Sequence, residues 1–218
     1  MRYLIRFDVH QRLQHLLLLT SFVILAVTGI PLLYRYTEWG MAWINAMGGV
    51  EEVRGWHRLA SFIMIAAGIY HVIWALIKKP KGMIPTKKDV SDFIADLKFV
   101  FGKSRELPKY GKFTYVQKFE YWGAFWGMVV MISTGLILSY PDYFSPSGEL
   151  YAAVRVAHWE EAFLAIVFIA TWHMYFSHLR RRFFPFNKVI FTGKMELEKA
   201  EKEHPLWVEE VVKRGSGN

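Results

Sequence analysis

The sequence predicts an all-α integral membrane protein, a four-helix bundle with both termini in the cytoplasm. Three observations carry this prediction. The 218 residues are 53% apolar and 17% aromatic, yet they include 27 Lys and Arg, so apolar and charged residues must be segregated along the chain. Four apolar stretches stand out, each about 20 residues long, which spans a hydrocarbon core of about 30 Å at about 1.5 Å per residue. Finally, the basic residues gather on one side of those stretches.

The expected spans cover residues 13–34, 56–77, 121–141 and 156–179. The first runs from His15 to Tyr34, the second from Trp56 to Ile77, the third from Tyr121 to Pro141 and the fourth from Val156 to Leu179. They are too long for strands and lack the alternation of a lipid-facing barrel strand. Their centres also lack the polar stripe that a soluble bundle helix needs. Arg2 and Arg6 precede the first run, but no small-x-small cleavage pattern follows it, so it is expected to remain as a helix.

Only Arg35, Arg54, Arg58 and Arg155 lie in or beside the two short connections, residues 35–55 and 142–155. The other 23 basic residues lie in the N-terminal arm, the 78–120 loop and the tail, residues 180–218. Those segments are therefore expected in the cytoplasm, in a multi-pass protein of the bacterial or archaeal inner membrane. The net charge of +8 then reads as topology and contact with membrane lipid, and no nucleic-acid partner is expected.

Between the second and third spans, Asp89 to Phe101 sets Val90, Phe93, Ile94, Leu97 and Phe101 near one helical face. This predicts an amphipathic helix lying at the interface. The tail has a charged helical pattern over residues 193–203 and is expected as a solvated or headgroup-lying helix. The whole chain, residues 1–218, reads as one transmembrane domain ending in that cytoplasmic tail.

The chain contains no cysteine, which excludes disulfides, iron–sulfur ligation, cysteine zinc sites and the C-x-x-C-H attachment of c-type haem. Chemistry falls instead to histidine. Of eight histidines, His15, His57, His71, His158 and His173 fall within the expected spans, where ionisable groups are costly and so are candidates for function. A lone membrane histidine is commonly an interhelical hydrogen-bond partner; five at two depths call for more.

His57 and His71 are 14 residues apart, and His158 and His173 are 15 apart. At 100° per residue, 14 steps fall about 40° short of four turns and 15 overshoot by about 60°. Each pair lies broadly on one face, about 21–22 Å apart along the axis. The second and fourth spans run the same way, so helix spacing sets His57 against His158 near the outer face and His71 against His173 near the inner face. The flanks match: Arg54-x-x-His57 mirrors Arg155-x-x-His158, and His71 and His173 each precede a basic residue by seven positions. Two facing imidazoles in a bundle suit the two axial positions of a haem iron. Sites of two histidines would make poor zinc sites, and the carboxylates of a di-iron bundle are missing.

The motifs in order resemble the di-haem cytochrome b (gamma) subunit family of membrane-bound formate dehydrogenases, nickel-iron hydrogenases and thiosulfate reductases. The resemblance runs from Arg6-Phe7 and Gln11-Arg12-Leu13-Gln14-His15, through Arg54-Gly55-Trp56-His57, to Tyr110-Gly111-Lys112-Phe113 and Gln117-Lys118. It continues through Thr134-Gly135, His173-Met174-Tyr175, Gly193-Lys194-Met195 and His204-Pro205-Leu206-Trp207. It implies a membrane anchor with two haem b groups, His57 and His158 holding the outer and His15 and His173 the inner. It also implies a quinone site beside the inner haem, at the loop entering the third span. There Thr114, Gln117 and Lys118 can donate hydrogen bonds to menaquinone or ubiquinone. Thr114 and Val116 stand where formate dehydrogenase members have Asn and Gly. His71 has no counterpart in that pattern and stays open as an alternative inner-haem ligand or a quinone contact.

The expected function is therefore a membrane-anchoring b-type cytochrome subunit relaying electrons between quinone and an extracytoplasmic iron–sulfur or multihaem cytochrome c subunit. Two alternatives are a stand-alone quinone-linked cytochrome b oxidoreductase and a haem-free proton-coupled transporter.

Overall fold

In the computed structural model, residues 3–181 and 183–215 are described. Arg2, Arg182 and residues 216–218 of the tail lie outside them. The elements in chain order are β1 (Tyr3–Ile5), α1 (Val9–Leu33), α2 (Glu38–Ala46), α3 (Val50–Lys78), α4 (Lys87–Val100), α5 (Tyr115–Ser139), α6 (Pro141–Phe144) and α7 (Gly148–Phe168). After α7 come two π-helical turns, Ile169–His173 and Tyr175–Leu179, then α8 (Val189–Thr192), β2 (Lys194–Glu196), α9 (Leu197–Glu203) and α10 (Pro205–Gly215).

Four helices are long and apolar enough to cross a membrane: α1, α3, α5, and α7 with its π-helical continuation to Leu179. They match the four expected spans in order, but each begins earlier. Each extra turn carries at least one charged residue, which breaks the apolar run. Glu51 and Glu52 occupy the first turn of α3 and Glu149 that of α7, where negative charge meets the positive end of the helix dipole. Ser147 caps α7 by accepting from the Leu150 amide at 3.2 Å. Helix α2 lies within what reads as a plain connection; Thr37 caps it by accepting from the Gly40 amide at 3.2 Å.

The chain forms two compact units. One contains residues 13–77 and 124–187, with most of the four long helices. Its fully buried side chains include Ser21, Thr28, Val53 and Ile44. Ser21 and Thr28 return their hydroxyl protons to the carbonyls of Leu17 and Ile24, at 2.8 and 2.7 Å. A hydroxyl can thus sit in an apolar bundle without an unsatisfied donor.

The other unit gathers the described N-terminal arm to Arg12, residues 78–123 and the chain from Lys188. Strands β1 and β2 pair antiparallel, with Leu4 opposite Met195. Met195, Ala200, Trp207 and Val208 form a small core, joined by Leu4, Val189, Leu197 and Val211. The tail is therefore folded rather than solvated. Its apolar residues find their partner strand some 190 positions upstream, beyond the reach of any local pattern.

Arg6 is the hub of this unit, with 4% of its surface exposed. It donates to the Lys112 carbonyl at 2.7 Å and to Gln117 Oε1 at 3.3 Å. Its guanidinium also lies 5.5–5.7 Å from the ring centres of Phe7, Phe113 and Trp207. Burial pulls its pKa down to about 10, opposed by the charge of Glu203, so it remains cationic at neutral pH. His204 Nδ1 lies 2.7 Å from the Gly111 carbonyl. Several of the short motifs that are scattered along the chain thus meet around one buried cation.

Helix α4 turns its acidic side inward. Asp92 accepts from Lys88 at 2.6 Å, and Asp96 accepts from the hydroxyls of Tyr110 and Tyr115 at 2.6 and 2.9 Å. Val90, Phe93, Ile94, Leu97 and Phe101 are all exposed.

Gly193 adopts φ +77°, and a Cβ there would sit 2.5 Å from the Phe7 carbonyl oxygen. That same residue's own carbonyl receives the Arg6 and Phe7 amides at 2.8 and 3.2 Å. Gly193→Ala is expected to cost about 1–2 kcal/mol from backbone handedness alone, with the clash added. Limited trypsin digestion in mild detergent should then cleave the tail at Lys194 or Lys199 markedly faster than in the parent protein.

Candidate functional site

The histidines of the helical unit divide by what holds their Nδ1 atoms. His57, on α3, places Nδ1 2.8 Å from Thr28 Oγ1 on α1. His158, on α7, places Nδ1 2.8 Å from Thr134 Oγ1 on α5. Each threonine has already given its hydroxyl proton to its own helix, Thr28 to the Ile24 carbonyl at 2.7 Å and Thr134 to the Val130 carbonyl at 2.6 Å. A hydroxyl has one proton, so both can only accept from the imidazole. Nδ1 therefore carries the hydrogen in both rings, and Nε2 keeps its lone pair. That is the tautomer a metal-ligating histidine needs when it binds through Nε2.

The residue after each threonine completes the arrangement. A Cβ on Gly29 would lie 3.2 Å from His57 Cε1, and one on Gly135 would lie 3.2 Å from His158 Cε1. Thr28-Gly29 and Thr134-Gly135 are thus two copies of one seat, a hydroxyl to fix the proton and a bare Cα to admit the ring. His57 also lies within electrostatic reach of His158.

A second pair forms elsewhere in the same unit. The rings of His15, on α1, and His173 have centres 6.4 Å apart, tilted by 35°. An imidazole nitrogen bonds a first-row metal at about 2 Å and lies about 1 Å from its ring centre, so two axial imidazoles put their centres about 6 Å apart. The observed spacing meets that requirement. His173 closes the first π-helical turn. A π turn takes in one extra residue. It absorbs the overshoot of about 60° that a 15-residue spacing would give on a regular α-helix.

His71 has a different neighbour. Its Nδ1 lies 2.9 Å from Gln14 Oε1, and its ring centre is 6.0 Å from that of Trp74. Helix spacing sets His71 opposite His173; the ring that faces His173 in the structure is that of His15. Sequence reasoning passed over His178, which sits on the second π-helical turn with 7% of its surface exposed. It lies five positions after His173, a spacing that shares a face only once the helix is π-wound.

Thr114, Gln117 and Lys118 lie in the other unit and serve its local structure. Thr114 and Gln117 cap α5 reciprocally: the Gln117 amide donates to Thr114 Oγ1 at 3.3 Å and the Thr114 amide to Gln117 Oε1 at 3.1 Å. Lys118 pairs with Asp89 at 2.8 Å, both side chains largely buried. Burial pushes the Asp89 carboxyl up, but hydrogen bonds from Lys118 and Thr86 outweigh it and hold it below its ordinary value.

Among the described residues no cluster of three or more His, Cys, Asp or Glu is arranged to hold a metal ion. The histidines come as cross-helix pairs, a donor set that fits an iron already held by a macrocycle. With no cysteine to bond a porphyrin covalently, four membrane-spanning helices and such pairs define a membrane cytochrome of the b type.

Comparison with known proteins agrees. Residues 6–185 match the prokaryotic cytochrome b561 family, and the chain belongs to that family. Membership implies haem b binding and a multi-pass place in the bacterial inner membrane. The chain is 22% identical over 212 residues to the cytochrome b556(Fdn) subunit of the nitrate-inducible formate dehydrogenase of Escherichia coli K12, covering 96% of this chain and 92% of that one. It is 25% identical over 215 residues to the formate dehydrogenase cytochrome b556 subunit of Haemophilus influenzae, covering 96% and 84%. It is 22% identical over 214 residues to the cytochrome b556(fdo) subunit of Escherichia coli K12, covering 96% and 94%.

Gly135→Val should drive a branched side chain into the ring of His158 and lower the haem-to-protein ratio of the purified protein, read by pyridine haemochrome. Ser133→Val, on the same helix but with its hydroxyl bonded only to its own backbone at 2.7 Å, should leave that ratio unchanged.

Proposed function

We propose that the chain carries two b haems and relays electrons between an extracytoplasmic redox partner subunit and quinone in the membrane. His57 and His158 hold the outer haem; His15 and His173 hold the inner one. The observation that carries this reading is the presence of two cross-helix imidazole pairs, separated along the α7 span by about 22 Å. Haem iron, when bound, supplies a one-electron couple. The protein's share is orientation and exclusion of water. Thr28 and Thr134 aim the Nε2 lone pairs of His57 and His158, and the apolar spans keep the pairs dry.

Several further features support the reading. The basic residues of the N-terminal arm, the 78–120 loop and the tail put those segments in the cytoplasm, and hence the His15–His173 pair toward the cytoplasmic side. Helix α4 exposes Val90, Phe93, Ile94, Leu97 and Phe101 while burying Asp92. That pattern is unfavourable in water and favourable against lipid, so α4 lies on the membrane. The relatives are cytochrome subunits of formate dehydrogenases, which supports a partner subunit as the electron source or sink. Thr114, Gln117 and Lys118 are the proposed donors to the quinone headgroup, since the capping bonds of Thr114 and Gln117 use only their oxygens as acceptors; His71 is the alternative quinone contact.

A haem-free proton relay is the weaker reading. A relaying imidazole must pass through both tautomers, whereas Thr28 and Thr134 each accept from one fixed Nδ1–H.

Alanine variants separate the inner candidates. His15→Ala should lose one of the two haems by pyridine haemochrome. His71→Ala should keep both while slowing quinone-dependent haem reoxidation several-fold, about the effect of one lost hydrogen bond. The reverse pattern would make His71 the ligand.

A further inference from the structure

His178 is held in the opposite sense to the seated histidines. Its Nδ1 accepts a hydrogen bond from the Asn187 backbone amide at 3.3 Å. A nitrogen that accepts has no hydrogen, so in the neutral ring the proton sits on Nε2. The ring is clamped against Phe186, with centres 4.4 Å apart and planes 21° apart. Only 7% of the residue is exposed, and Nε2 has no hydrogen-bond partner among the described residues. Nε2 is therefore left to donate to a group outside the chain.

Its place in the fold gives that donor a use. The π-helical turns that carry His173 and His178 put residues five apart on one face. His178 lies within electrostatic reach of both His15 and His173. A nitrogen that carries hydrogen cannot also offer a lone pair to iron, so this third imidazole is not a spare ligand. It is a fixed N–H beside a pair of ligating rings.

We infer that His178 donates its Nε2–H to an acceptor oxygen of a flat cofactor at the His15–His173 pair. The acceptor is a quinone carbonyl or the carboxylate of a haem propionate, two sources of one hydrogen-bond chemistry. The inference rests on the inner-haem assignment proposed above. His178 is a positioning residue for the haem, or a headgroup contact for the quinone.

The test uses the haem-loaded protein in mild detergent. His178→Phe keeps a ring against Phe186 and removes the donor; His178→Gln returns an N–H. Two quantities are measured: the Kd of a short-tailed naphthoquinone by equilibrium dialysis, and the midpoint potentials of the haems. If the acceptor is quinone, His178→Phe weakens naphthoquinone binding about tenfold with potentials unchanged. If it is a propionate, naphthoquinone binding holds. One haem potential then falls by about 60 mV, the one-electron equivalent of tenfold, because the carboxylate's charge is less compensated and favours ferric iron. In either case His178→Gln recovers part of the change. If neither quantity moves in His178→Phe, or if both variants lose haem alike, the inference is overturned. An unaltered protein that lacks the inner haem overturns the parent reading as well, a result visible before any variant is made.

Discussion

An imidazole inside a membrane-spanning helix must place both of its nitrogens, because neither water nor a nearby counter-charge is at hand to satisfy them. The rest of the helical unit depends on how this is done. At His57 and His158 one nitrogen is closed by a threonine whose own proton is already committed to the helix backbone. The other is left as a lone pair with a fixed direction. The threonine has to be on the neighbouring helix, at the depth of the ring, and the glycine after it lets the ring approach without shifting. Those demands lock α1 against α3 and α5 against α7 in register. Packing, proton position and ligand chemistry are then one arrangement, and it occurs twice.

The second pair is reached by different means. His15 and His173 face one another ring to ring, and the α-helix bearing His173 is rewound into π geometry to bring it there. A π turn sacrifices regular hydrogen bonding and is uncommon outside functional sites. Here it turns His173 toward His15 and carries His178 onto the same face. At His57 and His158 Nδ1 donates to a threonine and Nε2 keeps a lone pair; at His178 Nδ1 accepts from an amide and Nε2 carries the hydrogen.

The four spans were legible because hydropathy is summed over some twenty residues and survives local exceptions. The depth matching of His57 with His158 was legible for a similar reason, since helical rise is regular. The inner partner was not: a phase computed on a regular helix points to His71, while only the motif around Gln14-His15 points to His15. The missing term was the π turn, which no composition signal announces. The Thr-Gly dipeptides stood in plain view at residues 28–29 and 134–135, but their meaning lies in a ring on another helix. Thr114 and Gln117 have a local role that composition does not show, each capping α5 through its side-chain oxygen. The tail looked solvated because its partner, β1, is at the other end of the chain.

The unit built around Arg6 joins the two ends of the chain and the long loop through one buried cation, with α4 turning its apolar face out beside it. As a family member the protein is a membrane cytochrome b, and the central claim about it is that each of two histidine pairs holds one haem iron. The most direct measurement is the haem content of the purified, unaltered protein, by pyridine haemochrome against quantitative amino-acid analysis, with low-temperature electron paramagnetic resonance on the oxidised sample. Two b haems per chain are expected, both low-spin as two axial imidazoles require. A ratio of one, or a high-spin signal from an iron with an open axial position, would contradict it.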